Sequence, residues 1–203
     1  MERFNNWEEV KPMEFGERES LKLGGHEVVI KSAEVYIGQS GNKSLKVCVD
    51  IAGNDDQKGF YQKQYDDNTN MDKKWANAST KYITLKDDEK CIAIFKGFTT
   101  AVENSNSGYK WNFEESTLVG KKLCGIYGLE EYYKVDGTVG SATKLEQFRS
   151  LDKLAEAKIP RVKLIDGAYV EYDEYLSKKA SKKGIKEMFG DIVVDENDLP
   201  FEL

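Results

Sequence analysis

Histidine is almost missing from this chain of 203 residues: His26 is the only one. General acid–base catalysis recruits histidine more than any other side chain, and a lone one beside an apolar run has no partner for such work. The three cysteines, Cys48, Cys91 and Cys124, stand apart with apolar neighbours and form no CxxC pair. A zinc site or a Cys–His nucleophile is therefore not encoded. The thiols read as reduced, buried and structural, and His26 reads as a strand-start residue rather than a ligand. Also missing are a GK[ST] phosphate loop, a GxGxxG turn, a GxSxG elbow and an HExxH helix. The acid pairs Asp66-Asp67 and Glu114-Glu115 are adjacent, so in a strand they point to opposite faces and read as loop charges. A carboxylate–metal nuclease is the weakest reading. No enzyme, no cofactor and no metal is expected. No apolar run approaches the ~20 residues that span a bilayer. MERFNNWEEV lacks the basic-then-apolar pattern of a signal peptide, so the expected location is cytoplasmic, with no membrane partner.

What is present is a segregation of charge. The chain has 30 Lys and Arg against 36 Asp and Glu, a net charge of −6. Residues 191–203 (DIVVDENDLPFEL) hold five of those acids and no base, so the remainder is nearly neutral. An acidic ending and a neutral body leave nucleic acid open as a ligand of the body. Pro200 forbids a continuing helix or central strand in that ending.

Periodicity organises the rest. Residues 1–22 read as an N-terminal arm. Gly24-Gly25 opens HEVVIKSAEVYI, a β-branched run, and GQSGN (38–42) is a turn. Leu45, Val47, Val49 and Ile51 then alternate with Lys46, Cys48 and Asp50, which predicts a half-buried strand. After GNDDQKG, the stretch FYQKQYDD (60–67) reads as a third strand and 66–78 as a polar loop. From Asp87 the period becomes helical, with Ile92, Phe95, Phe98, Thr99 and Val102 on one face and Asp87 or Asp88 as cap. NSNSG ends that helix. LCGIYGLEEYYK and ATKLEQFRS read as the fourth and fifth strands around an Asp136-Gly137 hairpin turn. Ser150 is placed to cap a short helix, LDKLAEA, before Pro160. One helix between the third and fourth of five antiparallel strands is the order of an OB-fold-like barrel. The expectation is thus an all-β domain over 23–165, a lysine-rich connector over 166–190 and an acidic tail over 191–203. The connector carries Lys178, Lys179, Lys182, Lys183 and Lys186 at helical spacing.

Binding is better supported than catalysis. Barrels of this type present their second and third strands to oligonucleotides. On a strand, Tyr61, Lys63 and Tyr65 share one face, interleaving rings that stack on bases with an ammonium that tracks phosphates. Lys46 lies on the neighbouring strand. Lys58, Lys73, Lys74 and Trp75 extend the same composition, with Tyr82 beyond them and Lys144, Phe148 and Arg149 on the fifth strand. Amphipathic rings also cover sheet edges without a ligand, so Tyr61 and Tyr65 admit both readings. Phe148 also suits a core, whereas Trp75, amid Lys, Asn and Asp, suits a platform. Trp111, flanked by Phe113 and Leu118, reads as packed beneath the barrel.

Asp195-Glu196-Asn197-Asp198-Leu199-Pro200-Phe201 resembles the acidic tip of bacterial and phage single-stranded-DNA-binding proteins, which ends in an Asp-Asp-Ile-Pro-Phe-like sequence. The resemblance implies that Asp195, Glu196, Asp198, Leu199, Pro200 and Phe201 recruit replication or recombination proteins. The ring would enter an apolar pocket and the acids would meet a basic rim. Here Glu202 and Leu203 follow Phe201, whereas in that family the terminal carboxylate sits on the Phe. GGHEVVIKSAEV, SLKVCVDIAG, FKGFTTAVENSNSGYKWNF, LVGKKLCGIYGLEEY and TKLEQFRSLDKL resemble an OB-fold family of phages and mobile elements, over about residues 20–160. These resemblances imply a cytoplasmic single-stranded-DNA-binding protein of phage or prophage replication, with little sequence preference. They leave a homo-oligomer open. The competing reading is a replisome scaffold or regulatory module that does not touch DNA.

Overall fold

The computed structural model describes residues 19–189, with side chains described to Ser181. Its architecture corrects the barrel. It is a mixed α/β arrangement: an open seven-stranded mixed sheet carrying three helices. The strands are β1 (Gly24–Ile37), β2 (Lys43–Ile51), β3 (Thr80–Thr84), β4 (Lys122–Tyr133), β5 (Val139–Arg149), β6 (Val162–Lys163) and β7 (Tyr169–Val170). The helices are α1 (Phe60–Asp67), α2 (Glu89–Ser105) and α3 (Tyr172–Phe189). The sheet order is β3-β2-β1-β4-β6-β7, with β5 also on β4. β3 pairs only with β2 and β5 only with β4, so no ladder among the described residues closes the sheet.

The largest local difference is FYQKQYDD, which is helix α1 and not a strand. Gly59 precedes it in the left-handed region (φ 76°), and the Asp50 carboxylate accepts the Tyr61 backbone N–H at 3.0 Å. A helix start leaves such donors without partners and favours negative charge nearby. Asp50 meets both needs from the neighbouring strand. It also accepts Ile51 N–H at 2.9 Å, so this buried carboxylate is not left unsatisfied. With α1 in place, β2 is buried on both faces from Val47 to Ile51 rather than half-buried.

The other corrections are smaller. Asp88 caps α2, accepting Cys91 N–H at 2.9 Å. The buried face of α2 is Phe98, Thr99, Ala101 and Val102, with Phe95 partly buried, while Ile92 points outward. Ser150 makes no side-chain cap, and the segment after it is a 3-10 turn, Leu151–Glu156. Leu151 N–H is taken instead by Ser105 Oγ at the end of α2, at 2.9 Å. Trp111 is half-buried and edge-on to Phe95, and Phe113 is exposed with φ 66°. Cys48 and Cys124 are buried as expected, Cys91 is partly exposed, and all three are free.

β1 serves two neighbours in succession. Its first half, Gly24–Val29, pairs with Tyr127–Lys122 of β4; from Val28 onward it pairs with β2. Past Tyr127, β4 is free on that side, and β6 joins it in parallel at Glu130↔Lys163. The segment after Pro160, which the sequence reading leaves without strands, therefore completes the sheet. The core lies between sheet and helices, around Val28, Ile30, Val47, Val49, Leu123 and Tyr127. α3 runs through the lysine-rich connector, and its Tyr175 is buried, donating to Glu131 at 3.0 Å. No helix among the described residues is long and apolar enough to cross a membrane. Residues 191–203, with Asp195, Glu196, Asp198, Leu199, Pro200 and Phe201, lie outside the described residues.

Candidate nucleic-acid interface

The residues proposed from sequence fall into three places. The first is α1 and the loop after it. On a helix, Tyr61 and Tyr65 are one turn apart and share a face, while Lys63 points elsewhere. Tyr61 is only 3% exposed and stacks on Tyr127, ring centroids 6.1 Å apart and 21° from parallel. Burial pushes its phenol far above the usual range, so it stays neutral. Behind it, Tyr127 OH meets Ser79 Oγ at 2.9 Å, and Ser79 donates to Val49 O at 2.6 Å. Tyr61 is a core residue and is withdrawn as a stacking platform. Tyr65 and Trp75 are half-buried against each other at 5.7 Å, with the Lys73 ammonium 4.6 Å over the Tyr65 ring. The Trp75 indole N–H donates to Val49 O at 3.1 Å, which ties the ring to β2. Lys58, Lys63 and Lys74 are exposed around this cluster.

The second place is the outer end of β1, β2 and β3. Register puts Lys46 between Glu34 and Tyr82. Lys46 is bonded to Glu34 at 2.6 Å, which raises its pKa, and the 45%-exposed Tyr82 packs edge-on against Tyr36 at 5.4 Å. The third place is β5. Phe148 turns inward onto Phe98 at 5.2 Å, Arg149 is exposed, and Lys144 bonds Glu130 at 2.6 Å. His26 uses both ring nitrogens internally, on Asp55 at 2.7 Å and Lys22 O at 3.0 Å. It anchors the segment entering β1 to the loop after β2.

Two hollows meet along the free edge of β5. One, of about 570 Å³, lies between residues 19–23, α1 (Phe60, Gln64), Leu129 and Tyr172. The other, of about 420 Å³, is lined by Asn77, Glu130, Glu131, Tyr132 and Lys144. Both are bordered by Ala78, Ala142 and Thr143, so they form one groove across the strand edge. Alternation along β5 explains this: Ser141 and Thr143 line the first hollow, and Lys144 only the second.

The second hollow concentrates charge. Glu130 Oε2 meets Lys144 Nζ at 2.6 Å and Oε1 meets Lys163 Nζ at 2.5 Å. Hydrogen bonds from Lys144, then Lys163, hold the Glu130 carboxyl below its usual range. Lys81, on β3 opposite, is half-buried, and burial lowers its pKa against the pull of Glu146 and Glu130. Tyr132, 45% exposed, stands at the same wall. Gly128 makes room for this packing: a Cβ there would lie 2.9 Å from Glu146 Cγ and 3.3 Å from Pro160.

Of the residues proposed from sequence, only Lys144 and Tyr61 line the groove, and Tyr61 does so from the core. Sequence reasoning missed Lys81, Glu130, Tyr132 and Lys163. The alternating EEYYK at the end of β4 was the available signal for Glu130 and Tyr132. Nothing local signals Lys81 or Lys163, which reach the site through pairing of distant strands. Among the described residues, no three His, Cys, Asp or Glu side chains are grouped to hold a metal. No protein-family model matches the chain, and no curated protein matches it significantly.

Proposed function

We propose that this chain binds single-stranded DNA without chemistry, as a protein of phage or prophage replication and recombination. The observation that carries this reading is an exposed ring, Tyr132, beside Lys144 and Lys81 in a groove along an open strand edge. A ring on a groove wall takes any base by stacking, because every base has a π-face, and ammonium groups follow the phosphates. Little sequence preference follows from that combination. Tyr36 and Tyr82 with Lys46, and Tyr65 and Trp75 with Lys73, supply further partly exposed rings beside cations. The near-neutral body suits a modest site size in which local charge outweighs net charge. The acidic segment 191–203 is assigned to partner recruitment on its resemblance alone.

Titration of fluorescent oligo-dT at two salt concentrations tests this. Binding should weaken with salt, log K falling with log salt at about −0.7 per neutralised phosphate, and tyrosine emission should quench. Absence of binding at low salt sinks the reading.

A second reading, an interaction module that takes a protein partner, is favoured by one observation. β5 runs from Val139 to Arg149 with a single strand neighbour among the described residues, and a free edge accepts an extended peptide by strand addition. Such a module shows neither the steep salt dependence nor quenching by oligonucleotide.

A further inference from the structure

We propose that Glu130 is a built-in stand-in for a nucleic-acid phosphate, occupying an anion position among Lys81, Lys144 and Lys163 that a backbone phosphate takes over on binding. This rests on the single-strand reading and names the phosphate subsite within its groove. The carboxylate spends one oxygen on each of two lysines, Lys144 at 2.6 Å and Lys163 at 2.5 Å. A phosphodiester offers the same charge and two unesterified oxygens, so it can replace the carboxylate with charge conserved. Both lysines keep 42% side-chain exposure while bonded, so each ammonium still has donors directed away from Glu130.

Lys81 makes the site more than a surface ion pair. It is half-buried on β3, across the open gap from β5, and has no carboxylate within ion-pair distance among the described residues. The charged groups facing it are Glu146, Lys144 and Glu130. Three ammonium groups with two carboxylates, Glu130 and Glu146, leave an excess of one positive charge at the groove. A partly desolvated cation with no close counter-charge gains from an incoming anion more than a surface lysine does. Glu130 is thus both a support for the lysines in the free protein and a competitor with the ligand. This lowers the intrinsic affinity and keeps the groove from taking weak anions.

The test uses the full chain. Glu130→Gln keeps the side-chain shape and removes the competing charge, and it should raise oligo-dT affinity about fivefold. Lys81→Ala and Lys144→Ala should each lower affinity and flatten the salt slope by about 0.7. Inorganic pyrophosphate, titrated into the unaltered protein, should shift the side-chain nitrogen resonances of Lys144 and Lys163, and oligo-dT should compete with it. This arm needs no variant to fold. If pyrophosphate leaves both lysines unmoved, or if folded Glu130→Gln binds oligo-dT no tighter, the subsite is overturned. Oligo-dT binding that ignores all three variants removes the subsite and leaves the single-strand reading standing. Pyrophosphate binding without oligo-dT binding does the reverse. Displacement of pyrophosphate by an acidic peptide but not by oligo-dT also removes the proposal, in favour of a protein ligand.

Discussion

Two tyrosine–lysine neighbourhoods lie within reach of each other, and they do different work. Around α1, Tyr61 is sealed beneath the helix on Tyr127, and Tyr65 and Trp75 lean on each other with Lys73 above. At the end of β4 and β5, Tyr132 stands half in solvent beside a carboxylate shared by two lysines. The composition is similar, yet one is mainly a packing device and the other faces a groove. The difference comes from what lies opposite. α1 has the core beneath it, including Ser79 and Val49 O to satisfy polar atoms. β5 has nothing paired along its far edge among the described residues. Rings are thus assigned to core or surface by the presence of a covering element, and lysines gain binding potential where the covering is missing.

The strongest way to break this comparison is Tyr61→Ala. Removing a buried aromatic should cost about 3–5 kcal/mol, read from the urea midpoint, while the folded fraction keeps its oligo-dT affinity. A stable variant with lost affinity would return Tyr61 to the interface and reverse the contrast. Tyr132→Ala is the mirror experiment. It should weaken oligo-dT by about 1–3 kcal/mol, the value of one stacked base, with an almost unchanged midpoint.

Deleting residues 191–203 removes five acids and with them repulsion of DNA. Affinity should rise a few-fold at low salt, the gain fading as screening increases. An unchanged affinity across salt would show that the acidic segment does not shield the groove.

Acid sharpens the comparison on the β5 side. Because the folded Glu130 pKa is depressed, its stabilisation is fully present above the ordinary carboxylate range near pH 4.3. It is lost as pH falls through the depressed value. The stability difference between wild type and Glu130→Gln should therefore shrink on acidification, as measured by denaturation between about pH 6 and pH 2. A difference that stays constant would mean that the two ion pairs contribute nothing. The smallest effect is expected from Lys58→Ala or Lys74→Ala, exposed residues near α1, with changes within about 0.5 kcal/mol in stability and little change in affinity.

Much of the scaffold was legible. The alternation of Leu45, Val47, Val49 and Ile51 marked β2, the four-residue and three-residue spacing from Phe95 marked α2, and Asp88 was a readable cap. Asp136-Gly137 marked the β4–β5 turn, where Gly137 has φ 80°. FYQKQYDD was not legible, because Tyr61 and Tyr65 four residues apart fit both the strand and the helix period. The choice fell to Asp50, whose carboxylate receives the first helical donor. β6 and β7 have two residues each and make no pattern. They exist because β4 is free on one side past Tyr127. The candidate groove was hardly legible at all, Lys144 being its one exposed residue foreseen.

The chain alone determined where strands and helices begin and end, because periodicity, caps and glycine turns act between residues close in sequence. Which tyrosines are covered, and that Lys81, Lys144 and Lys163 gather about Glu130, came from strand pairing and from a sheet left open at β5. Those depend on elements far apart along the backbone. No local pattern records how distant segments are brought together, since burial and charge proximity belong to the packed assembly and not to any stretch within it.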